Sequence, residues 1–254
     1  MDIECCNVSK VINGKKIIDG ISLSIPDGTV YGVIGPNGAG KTTMVRLMLN
    51  LYEMSAGSIR IGGVDVTSHK FAKVKSKIGV LLDSLGLYQD LNAWDNVEFF
   101  DRIYFPKSSD DDRRTRISHA LELVDMQSHA DEKITYFSRG MRQRLALARA
   151  FDIDPELLIM DEPTRGLDLE GQFAVRKFVE QMKEQGRTVL INSHNLGELQ
   201  KVCDRFGFIR GGQLVEEGTY EELKAKYSKG SEAFDLEDVY KQINGLVGEE
   251  YECI

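Results

Sequence analysis

The sequence predicts an α/β fold with a mainly parallel core sheet and a helical lobe inserted into it. Short apolar stretches rich in β-branched residues alternate with segments whose apolar residues stand three and four positions apart, which is typical of alternating strands and helices. Between residues 83 and 155 only the helical spacing remains. This interruption indicates that a helical block enters the chain between two strands of the sheet.

The elements follow in chain order. Strands are predicted at residues 21–25, 29–34, 78–82, 157–160, 188–192 and 206–210, and helices of the lobe at 94–104, 113–125 and 141–151. The aspartates at 110–112 fit the first turn of a helix, where acids offset the helix dipole, better than a metal site. We therefore expect a split core at residues 1–82 and 156–220, a helical lobe at 83–155, and an acidic C-terminal tail at 221–254 with one short amphipathic segment.

The composition is that of an ordinary globular protein, since 42% of the 254 residues are hydrophobic and 28% are charged. The 40 acids and 32 bases give a formal net charge of -8, which argues against nucleic acid as a partner. No apolar run approaches the roughly 18 residues that cross a bilayer. We expect a cytoplasmic chain that does not itself span a membrane.

A glycine-rich stretch, GPNGAGKTT at residues 35–43, has the spacing of a phosphate-binding loop between a strand and a helix. Residues without a Cβ let backbone N–H groups turn inward around an anion at the positive end of a helix. We expect Lys41 to reach the β- and γ-phosphates of a nucleotide and the Thr42 hydroxyl to ligate Mg²⁺. The predicted binding residues of this cradle are Gly35, Pro36, Asn37, Gly38, Ala39, Gly40, Lys41, Thr42 and Thr43.

Two further predicted strands end in polar side chains. LLIMDEPTRGLD, at residues 157–168, is an apolar strand that ends in Asp161 and Glu162, and TVLINSH, at 188–194, ends in His194. In such sheets, ligands bind at the carboxyl ends of the strands. We expect Asp161 to hold Mg²⁺ through water, Glu162 to orient or deprotonate the attacking water, and His194 to contact the γ-phosphate or that water.

An arginine-rich stretch, YFSRGMRQRLALARAF at residues 136–151, indicates which kind of nucleotide hydrolase this is. FSRGMRQR resembles the signature sequence LSGGQ-x-R of ATP-binding cassette proteins. With GPNGAGKTT, LLIMDEPTRGLD and INSH it occurs in that family's order, so the resemblance covers residues 7–223. It implies a P-loop NTPase fold with an antiparallel β portion near the N-terminus, and ATP and Mg²⁺ as ligands. The arginines of this stretch are then mostly packing and salt-bridge residues rather than a nucleic-acid patch.

The resemblance also implies a head-to-tail dimer of two cassettes. Ser138, Arg139 and Gly140 of one chain would close on the γ-phosphate held by Lys41 of the other, because a serine hydroxyl and free N–H groups at a helix start form a second anion site. Asp168 matches the family residue that contacts the partner cassette. Its alternative role is the N-cap of the following helix, and the two roles are compatible. The second cassette is either another copy of this chain, which we favour, or a different cassette.

Four positions depart from the family pattern, and one of them is Met141, which replaces the signature glutamine. Ile12 stands where an aromatic residue usually stacks on adenine. Asp83 stands where most members have a glutamine, and our hypothesis is that its carboxylate keeps a role at Mg²⁺ or its water. Arg139 replaces a glycine, and two orientations are open for it, towards the γ-phosphate or towards solvent.

The stretches GLYQDLNAWDNVEFF and FDLEDVYKQINGL look like those of single-cassette ATPases that serve drug, antibiotic or peptide exporters. The resemblance therefore implies an ATPase that drives export through a separate transmembrane permease subunit. It would lie on the inner face of the cell membrane and use a coupling surface near residues 83–94. The alternatives are a cassette that acts on nucleic acid or ribosomes, and a regulatory subunit with little turnover. The presence of Lys41, Glu162 and His194 argues against the latter.

The isoleucine at position 12 generates a prediction about base selectivity. Because isoleucine has no π-face, we expect ATP and GTP to bind with dissociation constants that differ by less than about tenfold. Isothermal titration calorimetry with the two nucleotides measures the ratio directly. A larger preference for either base would contradict this interpretation of Ile12.

Overall fold

The computed structural model describes residues 1–82, 85–228 and 234–246. Its strands are β1 (Ile3–Ile12), β2 (Lys15–Ile25), β3 (Val30–Ile34), β4 (Ala56–Ile61), β5 (Val64–Asp65), β6 (Ile78–Leu81), β7 (Leu157–Asp161), β8 (Thr188–Ser193), β9 (Arg205–Arg210) and β10 (Gln213–Thr219). Its helices are α1 (Lys41–Met48), α2 (Phe71–Lys75), α3 (Ala93–Tyr104), α4 (Asp110–Leu123), α5 (Arg139–Phe151), α6 (Leu169–Glu184), α7 (Leu196–Val202), α8 (Tyr220–Tyr227) and α9 (Leu236–Asn244). Within these described ranges, no helix has the length and apolar character needed to cross a membrane.

Six strands form the main sheet in the order β10-β9-β3-β8-β7-β6. All neighbouring pairs in it are parallel except β10 with β9. Every residue of β3, β7 and β8 is buried, as expected of strands that are covered on both faces. The mainly parallel sheet is therefore confirmed. All six predicted strands are present, and the largest difference is that β2 begins at Lys15 rather than at residue 21.

A second sheet, in the order β2-β1-β4-β5, is antiparallel and lies near the N-terminus, as the family resemblance predicts. Asn13 and Gly14 join β1 to β2 with φ values of 49° and 75°, which are typical of a type I′ hairpin turn. The pattern of the sequence does not locate β1. Its register with β2 shifts at three places, and such bulges disrupt the alternation that marks a strand.

The predicted lobe corresponds to α3, α4 and α5, which lie between β6 and β7 in the chain. These helices share one apolar core with the main sheet. Core side chains from the three helices and from β7 include Val97, Ile117, Leu145 and Met160. The helix predicted to start at residue 113 begins at Asp110, because the Ser109 hydroxyl accepts a hydrogen bond from the Asp112 N–H and caps it. The aspartates at 110–112 thus occupy its first turn, as predicted.

A buried group of charges holds the lobe helices together. Asp101 of α3 is fully buried and accepts hydrogen bonds of 2.8 Å from the Nε atoms of Arg113 and Arg116 on α4. Asp152, just after α5, is buried beside them, and neither of its carboxyl oxygens has a hydrogen-bond partner among the described residues. Burial and the negative charge of Asp101 raise the pKa of Asp152 to about 7, and the two arginines only partly offset this.

The predicted acidic tail is partly packed against the core. Side chains of α8, α9 and the segment before α9 belong to the same apolar core as the lobe, namely Leu223, Phe234, Leu236 and Val239. The Tyr220 hydroxyl donates a 2.7 Å hydrogen bond to the carbonyl of Phe234. The amphipathic segment predicted near 234–243 is therefore a docked helix. Residues 229–233 and 247–254 of the predicted tail lie outside the described residues.

The pKa of Asp152 predicts a pH dependence of stability. An unfolded chain releases this proton near the ordinary value of 3.8, whereas the folded chain releases it near 7, so the folded state binds more protons between these values. The free energy of unfolding should therefore fall as the pH rises through this window, by at most about 4 kcal/mol. We expect Asp152→Asn to remove this loss.

The measurement is urea unfolding of the wild-type chain and the Asp152→Asn variant at pH 5 and pH 8. The variant should gain stability relative to wild type between the two pH values. If the difference in unfolding free energy between variant and wild type is the same at both, the proton that we assign to Asp152 is located elsewhere.

Candidate functional site

The phosphate cradle connects β3 to α1, as the sequence predicts. Gly38 and Gly40 have φ values of 79° and 107°, which L side chains rarely adopt. A Cβ on Gly35 would lie 2.4 Å from the carbonyl oxygen of Ile209, and one on Gly40 would lie 2.6 Å from the Cδ1 of Ile18. The glycines are therefore required by backbone conformation and by close packing. The loop keeps its N–H groups at the start of α1, where the helix favours an anion.

Lys41 is buried at the centre of the cradle. Its Nζ donates hydrogen bonds to the carbonyl oxygens of Gly35 at 2.6 Å and Pro36 at 3.3 Å, and it lies 4.0 Å from the Oε1 of Glu162. Burial lowers the pKa of the Lys41 ammonium, and the carboxylates of Glu162 and Asp161 oppose that change. The ammonium is thus paired within the loop, at the place where a phosphate is predicted to bind.

The end of β7 connects the cradle to β8. The Thr42 hydroxyl donates a 2.7 Å hydrogen bond to the Oδ2 of Asp161, and the Nδ2 of Asn192 lies 3.4 Å from the Oδ1. Asp161 and Asn192 are paired in the parallel ladder, which fixes this contact. The two predicted Mg²⁺ ligands within the described residues therefore have adjoining oxygen atoms.

Glu162 and His194 form a pair directly beyond these strand ends. Nδ1 of His194 lies 2.7 Å from the Oε2 of Glu162, and it is the donor because a carboxylate only accepts. The Ser193 hydroxyl donates to the same oxygen at 3.4 Å. The backbone of Glu162 has a φ of 52°, an unusual conformation for a residue with a side chain, and its N–H donates to the carbonyl of Asn192. The structure thus brings together Lys41, Thr42, Asp161, Glu162 and His194.

A cavity of about 610 Å³ lies over these residues. It is lined by cradle residues 37–43 and by Asp161, Glu162 and His194. Four further lining residues are missed by the sequence analysis, namely Lys15, Ile17, Arg46 and Arg165. Arg46 could have been found from its position one helical turn after Thr42. The others come from β2 and from the loop after β7, whose positions depend on tertiary packing.

Three of the predicted binding residues, Ile12, Gly35 and Pro36, are not among the described residues that line this cavity. Ile12 ends β1 and pairs with Lys15. Asp83 lies outside the described residues, so its predicted role at the metal remains a prediction.

The signature residues lie at the start of α5, away from this chain's own cavity. Ser138 is the N-cap of α5, and its exposed hydroxyl accepts a 3.2 Å hydrogen bond from the Met141 N–H. Gly140 lies in the first turn. A Cβ on Gly166 would lie 2.6 Å from the Cζ of Arg139, so the Arg139 guanidinium rests on the loop that leads to Asp168.

The loop after β7 ends at Asp168. Its Oδ1 accepts a 2.9 Å hydrogen bond from the Gly171 N–H, which confirms Asp168 as the N-cap of α6. Its predicted contact with a partner cassette stays a prediction, because this contact concerns a second chain.

The arginines further along α5 hold the helix to its neighbours. Arg142 donates to the carbonyl oxygens of Ile134 and Thr135, both at 3.4 Å. Arg149 donates a 2.8 Å hydrogen bond to the carbonyl of Gly86, and its Cζ lies 4.7 Å from the ring centroid of Phe100. These contacts agree with the interpretation of the arginine-rich stretch as mostly packing.

Comparison with known proteins identifies relatives over nearly the whole chain. The family model described as ABC transporter matches residues 18–165. The chain is 36% identical over 232 residues to the ABC transporter ATP-binding protein NatA of Bacillus subtilis (strain 168). The aligned region covers 91% of this chain and 92% of that protein. The chain is also 34% identical over 242 residues to the bacitracin transport ATP-binding protein BcrA of Bacillus licheniformis, covering 95% and 77%. A solved dimeric structure of a bacterial ABC transporter cassette matches with a TM-score of 0.78 and 25% identity, over 85% of this chain and 98% of that chain.

The matched region includes both the cradle and the strand that ends in Asp161, so the similarity extends to the site and is not limited to the fold. The family resemblance drawn from the sequence is therefore confirmed. The chain belongs to the ABC transporter family, in which it is an ATP-binding subunit with ATPase activity.

Proposed function

We propose that this ATPase drives the export of a drug, antibiotic or peptide through a separate transmembrane permease subunit, on the inner face of the cell membrane. The observation that carries the ATPase part of the proposal is the pair formed by Glu162 and His194 beside the buried Lys41, since these groups can activate water and stabilise phosphate charge. The similarity to BcrA, a bacitracin transport ATP-binding protein, supports an antibiotic or peptide substrate.

Hydrolysis is assigned to residues at the strand ends. Glu162 orients or deprotonates the attacking water. His194 donates a hydrogen bond from Nδ1 to the Oε2 of Glu162 and contacts the γ-phosphate. Lys41 stabilises charge on the β- and γ-phosphates by exchanging its carbonyl partners for phosphate oxygens. These roles require positioning and charge neutralisation and no covalent intermediate.

The residues present also fit Mg²⁺. The adjoining oxygens of Thr42 and Asp161 are of the donor type that Mg²⁺ prefers, and a Mg²⁺ site with few protein ligands is completed by water and substrate phosphates. When bound, the ion neutralises charge on the phosphates. Asp83 remains our proposal for a further contact to the ion or its water.

A head-to-tail dimer follows from the position of the signature residues. Ser138 caps α5 with an exposed hydroxyl and lies outside the cavity of its own chain, which supports its use by a second chain. In our proposal, binding of two MgATP closes the dimer, and hydrolysis reopens it. Ser138, Arg139, Gly140 and Asp168 then belong to the shared interface. The dimeric form of the similar cassette agrees with this arrangement.

The permease is proposed to bind an exposed apolar patch on the lobe. We call it the α3 surface and define it as Tyr88, Phe99, Ile103 and Tyr104, each of which is at least 40% exposed. Tyr88 and Phe99 pack edge to face with ring centroids 4.7 Å apart, so the patch is ordered. Exposed aromatic side chains grouped in this way are typical of protein interfaces. Tyr88 of this patch lies within residues 83–94, where the coupling surface is predicted.

The dimer proposal predicts the behaviour of Glu162→Gln. This change keeps the shape of the side chain but slows hydrolysis, so a closed dimer should accumulate with MgATP. We expect light scattering to show a shift from monomer to dimer with MgATP and none with MgADP. The matched control is Glu162→Gln combined with Ser138→Arg, which blocks closure and should stay monomeric while still binding ATP. A chain that binds MgATP and remains monomeric would instead indicate that closure needs the permease or a different cassette.

The permease proposal predicts the effect of Ile103→Asp. Ile103 is the most exposed member of the α3 surface at 60%, so a buried charge there should weaken permease binding at least about tenfold. Co-sedimentation of the chain with membrane vesicles from cells that contain its permease measures this binding. Leu51→Asp is the control, because Leu51 is also an exposed aliphatic residue, at 51%, and lies outside the α3 surface. Equal losses from both variants would contradict the assignment of the surface.

A further inference from the structure

One end of the nucleotide cavity is formed by residues that are not assigned to phosphate binding. Beyond the cradle, the cavity is lined by Lys15, Ile17 and Arg46. None of its lining residues in the described ranges is a Phe, Tyr or Trp. Among the described residues that line the cavity, the flat ring of a nucleobase therefore finds no aromatic side chain to stack on, and we look for another group that contacts it.

The strand β2 forms one wall of this end. A Cβ on Gly40 would lie 3.0 Å from the carbonyl oxygen of Ile17, and one on Gly212 would lie 2.4 Å from the same oxygen. The backbone at Ile17 is thus wedged between two glycines, directly beside the cradle. The Ile17 side chain is half-buried and forms an apolar part of the cavity lining next to the phosphate site.

Arg46 also lines this part of the cavity. It lies on α1 four residues after Thr42, which places it about 6 Å further along the helix axis from the phosphate end. Its Nη1 donates a 2.9 Å hydrogen bond to the Tyr52 hydroxyl, and its Cζ lies 5.4 Å from the centroid of the Tyr52 ring. The Nζ of Lys10 lies 5.8 Å from the same centroid. The guanidinium is therefore held in place and does not move freely in solvent.

We propose that Arg46 is the base-stacking residue of this cassette, with its guanidinium plane against the nucleobase and Ile17 on the other side of the ring. A guanidinium is planar, weakly hydrated and favourable on a π-face. It thereby takes the role of the aromatic residue that is missing at Ile12. Tyr52 is a positioning residue, since it acts on the base only through Arg46. The proposal rests on the cavity being the ATP site.

Stacking predicts little selectivity between adenine and guanine, whereas hydrogen bonding to the base edge would predict a preference. Every base has a π-face, so a stacked guanidinium accepts adenine and guanine alike. The same cation could instead act on phosphates at a distance, in which case the base would not matter. A ligand that has phosphates but no base distinguishes the two roles, because loss of Arg46 would weaken its binding only if Arg46 acts on the phosphates.

The test is calorimetry on the Glu162→Gln chain, which binds without turnover, with three probes: MgATP, MgGTP and magnesium tripolyphosphate. We expect Arg46→Ala to weaken binding of both nucleotides about tenfold and to leave tripolyphosphate binding within about twofold. Arg46→Lys keeps the charge but has no plane, so it should lose nearly as much as Arg46→Ala. Tyr52→Phe removes the hydrogen bond to Arg46 and should cost a smaller factor, about threefold.

Arg60→Ala is the matched control, since it removes the same charge from an exposed position outside the cavity. Unchanged tripolyphosphate binding shows that each variant is folded. Equal weakening of ATP and tripolyphosphate by Arg46→Ala would overturn the proposal, as would full restoration by Arg46→Lys or an unchanged affinity for ATP. If the Glu162→Gln parent itself binds no nucleotide, the function proposed above fails, and not only the role of Arg46.

Discussion

The burial of three adjacent parallel strands is the constraint on which the site depends. The strands β3, β8 and β7 are buried along their whole length, and Asp161, Asn192 and Ser193 stand at or beside the carboxyl ends of β7 and β8. The carboxyl ends of these strands meet at one edge of the sheet. The cradle, the carboxylates at the end of β7 and the histidine after β8 therefore lie close together. The hydrogen bond between Thr42 and Asp161 then links the cradle to the middle of the sheet. Every catalytic assignment made here follows from that convergence.

The buried charged residues of this molecule have different roles, some in the site and others in the packing of the helices. Lys41 is buried, but its partners are carbonyl oxygens that an incoming phosphate can replace. Asp101 is buried with two arginines that nothing in the fold displaces, so its role is to join helices. Asp152 is buried with neither kind of partner, and burial together with the charge of Asp101 raises its pKa to about 7. A buried charge alone does not indicate a site, whereas a buried charge with replaceable partners does.

Local patterns predicted the parts of the fold that depend on local chemistry. The cradle, the polar strand ends and the signature at Ser138 are recognisable because a few neighbouring residues determine each of them, whereas the cap at Ser109 that starts α4 is missed. Other features depend on partners far along the chain. The bulges of β1 follow from its pairing with β2, the docking of α9 from the core beneath it, and the position of Ile17 beside the cradle from Gly212. Arg46 combines both cases, because its helix was predictable and its contact with Tyr52 was not.

The contacts of Arg149 attach the C-terminal part of α5 to the region of the α3 surface. This helix carries Ser138 at one end, and near its other end Arg149 is fixed to the carbonyl of Gly86 and to the ring of Phe100. With a rise of 1.5 Å per residue, Ser138 and Arg149 are about 16 Å apart along the helix axis. In the proposed complex, a shift of the α3 surface would therefore move the far end of α5 and, through this one continuous helix, the serine that faces the second nucleotide.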